Sequence, residues 1–424
     1  MELYDISAKM SQSVVNGQIV ETPNNTFVLS QREAKDIRWE AQTSFGLALD
    51  GRVFDRVNFS LEYFDKRSRD LLFQVPLPQS AGAIGASSKS PLDWKNIGTL
   101  SNYGFELSLN VDLYRTKDFH WHADLNATAL KNKILSLPPK EGGDNSIYPA
   151  YSRKSNGDID SRTNQKYAEG HSIYEFYIYQ YKGVDQMDGR ALYKLDTDAW
   201  YIAEQPPADV TGKDLLAKKD DSGENNYVII NGVAYAYKAA NAKREFSGSP
   251  IPKVMGSFST GITYKGLALD VLFSYGLGGK VLDSPYEKLM SLGTAGTLHS
   301  LHPDLLKSWT GMPEGMTETS ANRIDPNGIP GVNYQYNSYN NITSTRWLVN
   351  ASYLMFKNIN VSYALPKQWI QGLELSNVRL NATVENLHLF SARKGLNPQT
   401  DFDGEMGDVA SMPRTISLGL KVDF

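Results

Sequence analysis

Two histidines one residue apart, His120 and His122, are the pair best placed for metal chemistry, since alternate residues share one face of a strand and imidazole is a common ligand. No third ligand follows at a matching spacing, so the pair reads as polar side chains on the apolar-free face of a strand. Asp401-Phe402-Asp403-Gly404-Glu405 sets alternate carboxylates around a glycine, as calcium loops do. It does not complete the EF-hand spacing, and a solvated loop is expected. Gly276-Leu277-Gly278-Gly279-Lys280 has the composition of a phosphate cradle without the P-loop spacing or an evident following helix. It reads as a strand end entering a loop. Carboxylates are plentiful, yet none forms a recognisable general acid/base pair. With six histidines and no cysteine, few nucleophile constellations remain. No catalytic residue, metal or cofactor is assigned, and the chain is expected not to be an enzyme.

Aromatic side chains are the more informative chemistry. Tyr148, Tyr151, Tyr174, Tyr177, Tyr179 and Tyr181 crowd one long segment, and Trp309, Tyr334, Tyr336, Tyr339 and Trp347 crowd the next. Aromatic faces stack on sugar C–H surfaces, and amphipathic tyrosine also suits protein interfaces. Tyr174, Tyr177, Tyr179, Trp309, Tyr336 and Trp347 are therefore the candidate substrate or partner contacts. Ordinary loop packing is the competing explanation.

The elements that position these segments are strands. At the C-terminus Ile416, Leu418, Leu420, Val422 and Phe424 fall on one face, while Thr415, Ser417, Gly419, Lys421 and Asp423 fall on the other. A transmembrane β-barrel needs such a strand: apolar toward lipid, polar inside, and aromatic at the interface. The last strand of a soluble sandwich would have the same pattern. The alternation recurs through Phe105–Leu113 and Phe119–Ala127. It continues through Phe258–Tyr264, then Leu267–Tyr275 after the turn Lys265-Gly266, and through Val378–Val384. Near the start, Phe45, Leu47 and Leu49 lead through Asp50-Gly51 to Val57, Phe59, Leu61 and Tyr63. Ile359, Val361 and Tyr363 are out of phase with Leu354 and Phe356, which predicts a bulge near Lys357-Asn358.

Strand length favours the membrane reading, because these runs cover ~10 residues where soluble strands usually cover ~5–6. Short links (51–56, 115–118, 265–266 and 366–376) alternate with long ones (73–97, 134–251, 277–343 and 388–412), the outer-membrane pattern. Composition agrees. A mean hydropathy of -0.40 and the lack of a long apolar run exclude a helical membrane protein. The balance of 43 basic and 47 acidic residues offers no basic field for nucleic acid. The expected fold is all-β, a partial antiparallel transmembrane β-barrel of about nine or ten spanning strands with long extracellular loops. Direction parity places 134–251 outside the cell as a β-containing lobe with a hairpin at Asn231-Gly232. Residues 1–36 are poorly defined, their alternation too weak to assign more than a partial, tenth strand. The chain opens without a secretory signal.

Several stretches resemble one family in order. "NIGTLSNYGFELSLN" (96–110), "YQYKGVDQMDGRALY" (179–193) and "GSPIPKVMGSFSTGITYKGLALDVLFSYGLGGKV" (248–281) are similar to the barrel part of SusC/RagA-type TonB-dependent outer-membrane transporters. So are "ASYLMFKNINVSYALP" (351–366), "LSNVRLNATVENLHLFS" (375–391), "GLNPQTD" (395–401) and "PRTISLGLKVDF" (413–424). The resemblance covers residues 37–424 and implies the C-terminal part of such a barrel. It also implies a SusD-type surface lipoprotein as partner, energy from the TonB system, and oligosaccharide or peptide cargo. The location implied is the bacterial outer membrane, with a periplasmic C-terminus. It makes Ile416, Leu418, Leu420, Val422 and Phe424 the membrane-insertion strand. The signal peptide, plug and TonB-contact segment of the family are not recognised here. A free-standing small outer-membrane barrel with enzymatic or adhesive loops is the alternative.

Overall fold

A computed structural model describes residues 3–15, 18–31, 36–76, 92–96, 98–137, 146–147, 152–153, 159–160, 164–196, 227–293, 300–373, 375–399, 403–407 and 412–424. Tyr148, Tyr151, Asp401 and Phe402 lie outside them. Nine strands carry the alternating pattern: β1 (Ala41–Val53), β2 (Val57–Arg69), β3 (Thr99–Arg115), β4 (Phe119–Ser136), β5 (Val254–Tyr264), β6 (Leu267–Leu277), β7 (Tyr353–Ala364), β8 (Asn377–Ser391) and β9 (Thr415–Asp423). They form one sheet in which every strand lies beside its neighbour in sequence, from β1 to β9. The pairings from β4 to β9 are antiparallel. Between β2 and β3, Leu71 N donates to Gly98 O and Asp112 N to Arg56 O, which joins opposite ends and makes that pair antiparallel too.

Strand length and face chemistry explain the sheet. The nine strands run from 9 to 18 residues, enough to cross a bilayer at a tilt. Their apolar face lies open: Phe45, Leu47, Phe105, Trp121, Phe258, Leu269, Leu380 and Leu420 are exposed, and Leu418 is 84% exposed. Along that face the rings meet across strands, Phe258 stacking on Phe273 at 5.5 Å and Phe273 meeting Phe356 edge-on at 4.3 Å. On the opposite face His120 Nε2 lies 2.6 Å from Asp112 Oδ1, and Asn110 donates to Asp124 Oδ1 at 2.8 Å. Gly261 faces His122 and Asp270 there, and a Cβ at that position would lie 2.3 Å from the imidazole. No group of three metal-ligating side chains occurs among the described residues.

The hairpin ends follow local rules. Lys265 (φ 46°) and Gly266 (φ 89°) close β5–β6, and Asn231 (φ 50°) with Gly232 (φ 81°) closes the hairpin Tyr227–Ile230/Val233–Ala236, both as expected. The first turn lies further along than Asp50-Gly51: β1 continues to Val53, and Phe54 and Asp55 take the left-handed conformation, each at φ 55°. Gly51 is a strand residue, where a Cβ would lie 2.6 Å from the Phe59 ring. The bulge falls at Lys357, because Phe273 pairs with Phe356 and Leu272 with Asn358. Lys357 Nζ then bonds Asn386 Oδ1 at 3.2 Å on the next strand.

Buried apolar side chains concentrate in the connections, not on the sheet. The chain divides into two compact units. One comprises residues 1–48, 62–105 and 130–173. In it Leu3–Val15 and Gln18–Gln31 form a hairpin that joins Leu72–Pro76 and Leu92–Asn96 in a four-stranded sheet. The other comprises 49–61, 106–129 and 174–424. It holds a five-stranded sheet ordered Tyr227–Ile230, Val233–Ala236, Ala191–Lys194, Tyr181–Asp185, Ile324–Asp325. Two residue pairings therefore tie the 174–251 segment to the next long connection. No helix among the described residues is long and apolar enough to cross a membrane, which says nothing of crossing by strands.

Candidate functional site: an aromatic cleft in the long connections

The turn Asp185-Gln186-Met187-Asp188-Gly189-Arg190 joins two strands of the five-stranded sheet and positions the cleft. Asp185 N donates to Arg190 O at 2.9 Å, and Gly189 N donates to Asp185 O at 2.7 Å. Gly189 sits at φ 75°, and a Cβ would lie 2.2 Å from Trp309 Cε3. Glycine therefore serves both the turn and the close seat of the indole. Trp309 is further held by its Nε1–H, which donates to Gln186 O at 3.1 Å, and by its backbone N–H on Ile329 O.

Around this seat lies a cleft of about 360 Å³ lined by Asp188, Arg190, Ser308, Trp309, Thr310, Asn333, Tyr336 and Asn340, with Gly189, Gly331 and Val332. Asp188 Oδ2 accepts from Arg190 Nε at 2.8 Å and from Tyr237 OH at 3.2 Å. The Arg190 guanidinium lies 3.6 Å over the Tyr237 ring and 5.4 Å from that of Tyr336. Burial disfavours its charge, but the Asp188 hydrogen bond and neighbouring groups outweigh that and hold its pKa above the usual value. Burial also pushes the Tyr237 hydroxyl up. Asn340 is spent on structure, accepting from Ala191 N at 3.0 Å and donating to Gly331 O at 3.3 Å.

Of the six aromatic residues expected at a contact surface, the structure brings together Trp309 and Tyr336. Tyr177 and Tyr179 instead flank Arg244, at 5.3 and 5.5 Å, and Arg244 Nε donates to Tyr177 O. Tyr174 is half-buried and does not line the cleft. Trp347 requires a correction: it is 1% exposed, packed with Phe176, Ile178, Leu282 and Met290, and its Nε1–H donates to Ile342 O. A contact role is closed to it because its own loop core covers it. Asp188 and Arg190 were missed by sequence reading, although the Asp-Gly pair between two apolar runs marks a turn that could present them.

The other expected motifs resolve structurally. Asp403 Oδ1 accepts from Glu405 N, and Gly404 O and Met406 N bond the backbone of Leu282, so the acidic loop docks a chain segment. After Gly278-Gly279 a short helix does follow, Ser284–Leu289, contrary to expectation. Its first turn is capped by Asp283, which also accepts from Arg393 Nε at 2.7 Å, so a carboxylate of the chain already fills the place of an anion.

Within that helix the Glu287 carboxyl is pushed up to about 6 from 4.5, chiefly by burial, against the hydrogen bond from Thr343 Oγ1 at 2.6 Å. A raised carboxyl means that the folded form holds the proton longer than the unfolded one. Stability conferred by this region should therefore fall as pH rises from 4.5 to about 6 and then level off. The total change is about 2 kcal/mol. Amide exchange of residues 284–290 as a function of pH checks this, and Glu287→Gln should flatten the profile.

No family model matches the chain. It is 29% identical to the TonB-dependent receptor P3 of Formosa agariphila, over 99% of this chain and 38% of that protein. It is 26% identical to the TonB-dependent receptor SusC of Bacteroides thetaiotaomicron, over 97% of this chain and 35% of that protein. Among solved structures it resembles that of the RagAB peptide transporter, with a TM-score of 0.67 and 20% identity over all of this chain and 38% of that one. The chain thus spans a little over a third of the length of the relatives it matches. TonB-dependent receptors are outer-membrane proteins, and these relatives are receptors and transporters, not enzymes. Over almost its whole length the chain is accordingly similar to the SusC/RagA-type TonB-dependent outer-membrane transporters, and its nine strands have the fold of part of such a β-barrel.

Proposed function

We propose that the chain supplies the C-terminal barrel strands and surface loops of a TonB-dependent importer of oligosaccharides or peptides. In this reading the importer works beneath a SusD-type surface lipoprotein. The observation that carries the reading is the nine-strand meander with alternating links. Links of 3, 3, 2 and 12 residues (54–56, 116–118, 265–266, 365–376) alternate with the long connections 70–98, 137–253, 278–352 and 392–414. Short turns on one side and long loops on the other are the outer-membrane arrangement. With the long connections outside the cell, β9 ends at the periplasmic side. The remaining length of the relatives leaves room for the plug, the TonB-contacting segment and the other strands, one of which would pair with the free edge of β9.

The test uses the chromosomal gene with an epitope inserted in the 300–336 connection or at Lys265-Gly266. In intact cells the first insertion should be reached by antibody and the second should not. A membrane-fraction pull-down should retain a surface lipoprotein, and deletion of the gene should abolish growth on one oligosaccharide or peptide source. An intact-cell signal from Lys265-Gly266 would reverse the orientation, and unimpaired growth on every such source would remove the importer reading.

A further inference from the structure

We infer that the short-link end of the sheet is a docking rim for anionic phospholipid headgroups of the periplasmic leaflet. The inference takes from the reading above only the side of the membrane on which those links lie. The rim is continuous, because neighbouring links are bonded to one another through the backbone. Asp112 N donates to Arg56 O at 2.8 Å, Lys265 N to Asp118 O at 3.1 Å, and Ala364 N to Gly266 O at 2.9 Å. The links 54–56, 116–118, 265–266 and 365–376 therefore stand side by side at one end of β2 to β7, all within one compact unit.

The rim has two chemical layers. Strand register sets Phe119 opposite Tyr264, Tyr264 opposite Leu267, and Leu267 opposite Tyr363, so that these side chains form one row. The Phe119 and Tyr264 rings meet at 6.4 Å, and Phe54 and Trp369 are exposed in the flanking links. Aromatic rows of this kind sit at the headgroup level of a bilayer. Each link then carries or adjoins a base: Arg56, Arg115 with Lys117, Lys265, and Lys367. All five are exposed, and none is within ion-pair distance of a carboxylate among the described residues. In the long connections, by contrast, Arg190, Lys194, Arg323 and Arg393 are each paired with a carboxylate. The Lys265 ammonium lies 5.3 Å from the Tyr264 ring, which holds the charge beside the aromatic row. Over the four links and Arg115, five bases face three carboxylates, Asp55, Asp118 and Glu374, in a chain whose net charge is -4. Bases with free donors at that depth meet phosphate oxygens, which arginine takes as a fork and lysine as a point charge. Successive hairpins lie roughly 10 Å apart, two strand spacings, so each base can meet a separate headgroup.

The test is native mass spectrometry of the detergent-purified full-length protein, titrated with dioleoylphosphatidylglycerol and in parallel with zwitterionic dioleoylphosphatidylcholine. The parent should hold phosphatidylglycerol about tenfold more tightly or better, since each base near an anionic headgroup is worth about fivefold. Arg115→Gln, Lys117→Gln, Lys265→Gln and Lys367→Gln combined should remove the preference, whereas Arg115→Lys with Lys117→Arg, Lys265→Arg and Lys367→Arg should keep it. Lys265→Gln alone should reduce it about twofold or more, and this single change reads the same quantity if the combined variant does not fold. Lys253→Gln with Lys280→Gln, exposed positions at the other ends of β5 and β6, should leave it unchanged. Equal retention of the two lipids by the parent would overturn the rim. So would a preference that survives the combined Gln variant or is lost with Lys253 and Lys280. The measurement involves no cargo, so its failure would leave the importer reading standing. An intact-cell antibody signal at Lys265-Gly266 would overturn the leaflet assigned here.

Discussion

Arg323→Ala should unfold the five-stranded surface sheet by about 3–5 kcal/mol, the cost of leaving a buried carboxylate without its partner. Asp185 is 0% exposed and receives both Arg323 Nε, at 2.9 Å, and Nη2, at 2.7 Å. The Asp185 hydrogen bond is also the leading reason that the Arg323 guanidinium is held above its usual pKa. The pair spans 138 positions of sequence and ties the turn that builds the cleft to the strand Ile324–Asp325. Gly183 sharpens the closeness at that seam, since at φ 127° a Cβ would lie 2.4 Å from Asp325 O. Hydrogen exchange of the full-length protein should show amides of 181–194 exchanging about a hundredfold faster or more in Arg323→Ala. Asp185→Leu combined with Arg323→Met should recover much of the loss, because an apolar pair of similar volume carries no stranded charge. Equal exchange in Arg323→Ala and the parent would mean that the bidentate pair does not hold the sheet.

Trp347→Ala should be of similar size, about 3–5 kcal/mol, because it opens a large cavity and abandons a satisfied indole N–H. The ring packs against Phe176, Ile178, Leu282 and Met290, meets Tyr286 edge-on at 5.9 Å and lies 4.2 Å beneath the Arg346 guanidinium. Burial is the main reason that Arg346 is held below its usual pKa, so the ring face is part of what stabilises that charge. The Trp347 carbonyl accepts from Asp283 N, at the start of the capped helix. Loss of the ring should therefore loosen 282–290 together with 176–178, read as faster exchange there. Trp347→Phe keeps most of the apolar contact and loses the bond to Ile342 O, for a smaller cost of about 1–2 kcal/mol.

These two residues also mark where sequence reading stops. All nine strands, the bulge at Lys357 and the turns at Lys265-Gly266 and Asn231-Gly232 were legible, because period-2 alternation and turn chemistry are local. A sheet open on its apolar face keeps that alternation unmixed, with few long-range contacts to disturb it. The turn at Phe54-Asp55 was not legible, since Asp55 tolerates the left-handed conformation but the bulky Phe54, which adopts it too, does not favour it. Trp347 reads as a contact residue in the sequence because an aromatic in a long loop carries no local sign of what covers it. Asp188 and Arg190 escaped notice for a related reason. Only the fold brings Trp309 onto Gly189 and Tyr336 beside Arg190, and those pairings join segments far apart in the chain.

The central claim is that the alternating faces of these strands meet lipid on one side, and because these 424 residues contain no cysteine, an introduced thiol in them is distinguishable from the chain's own side chains. Single cysteines placed along β4 of the full-length protein, at Trp121, Ala123 and Leu125 and at His122, Asp124 and Asn126, can each carry a nitroxide in native outer membranes. Collision with oxygen, which concentrates in lipid, should be high for the first three and low for the second three. Collision with a water-soluble nickel chelate should not be high at any of the first three. A period of two in oxygen access, repeated at Leu380, Ala382 and Val384 of β8, is the predicted result. Ready nickel access at Trp121, Ala123 and Leu125, as on the face of a soluble sandwich, would contradict the account.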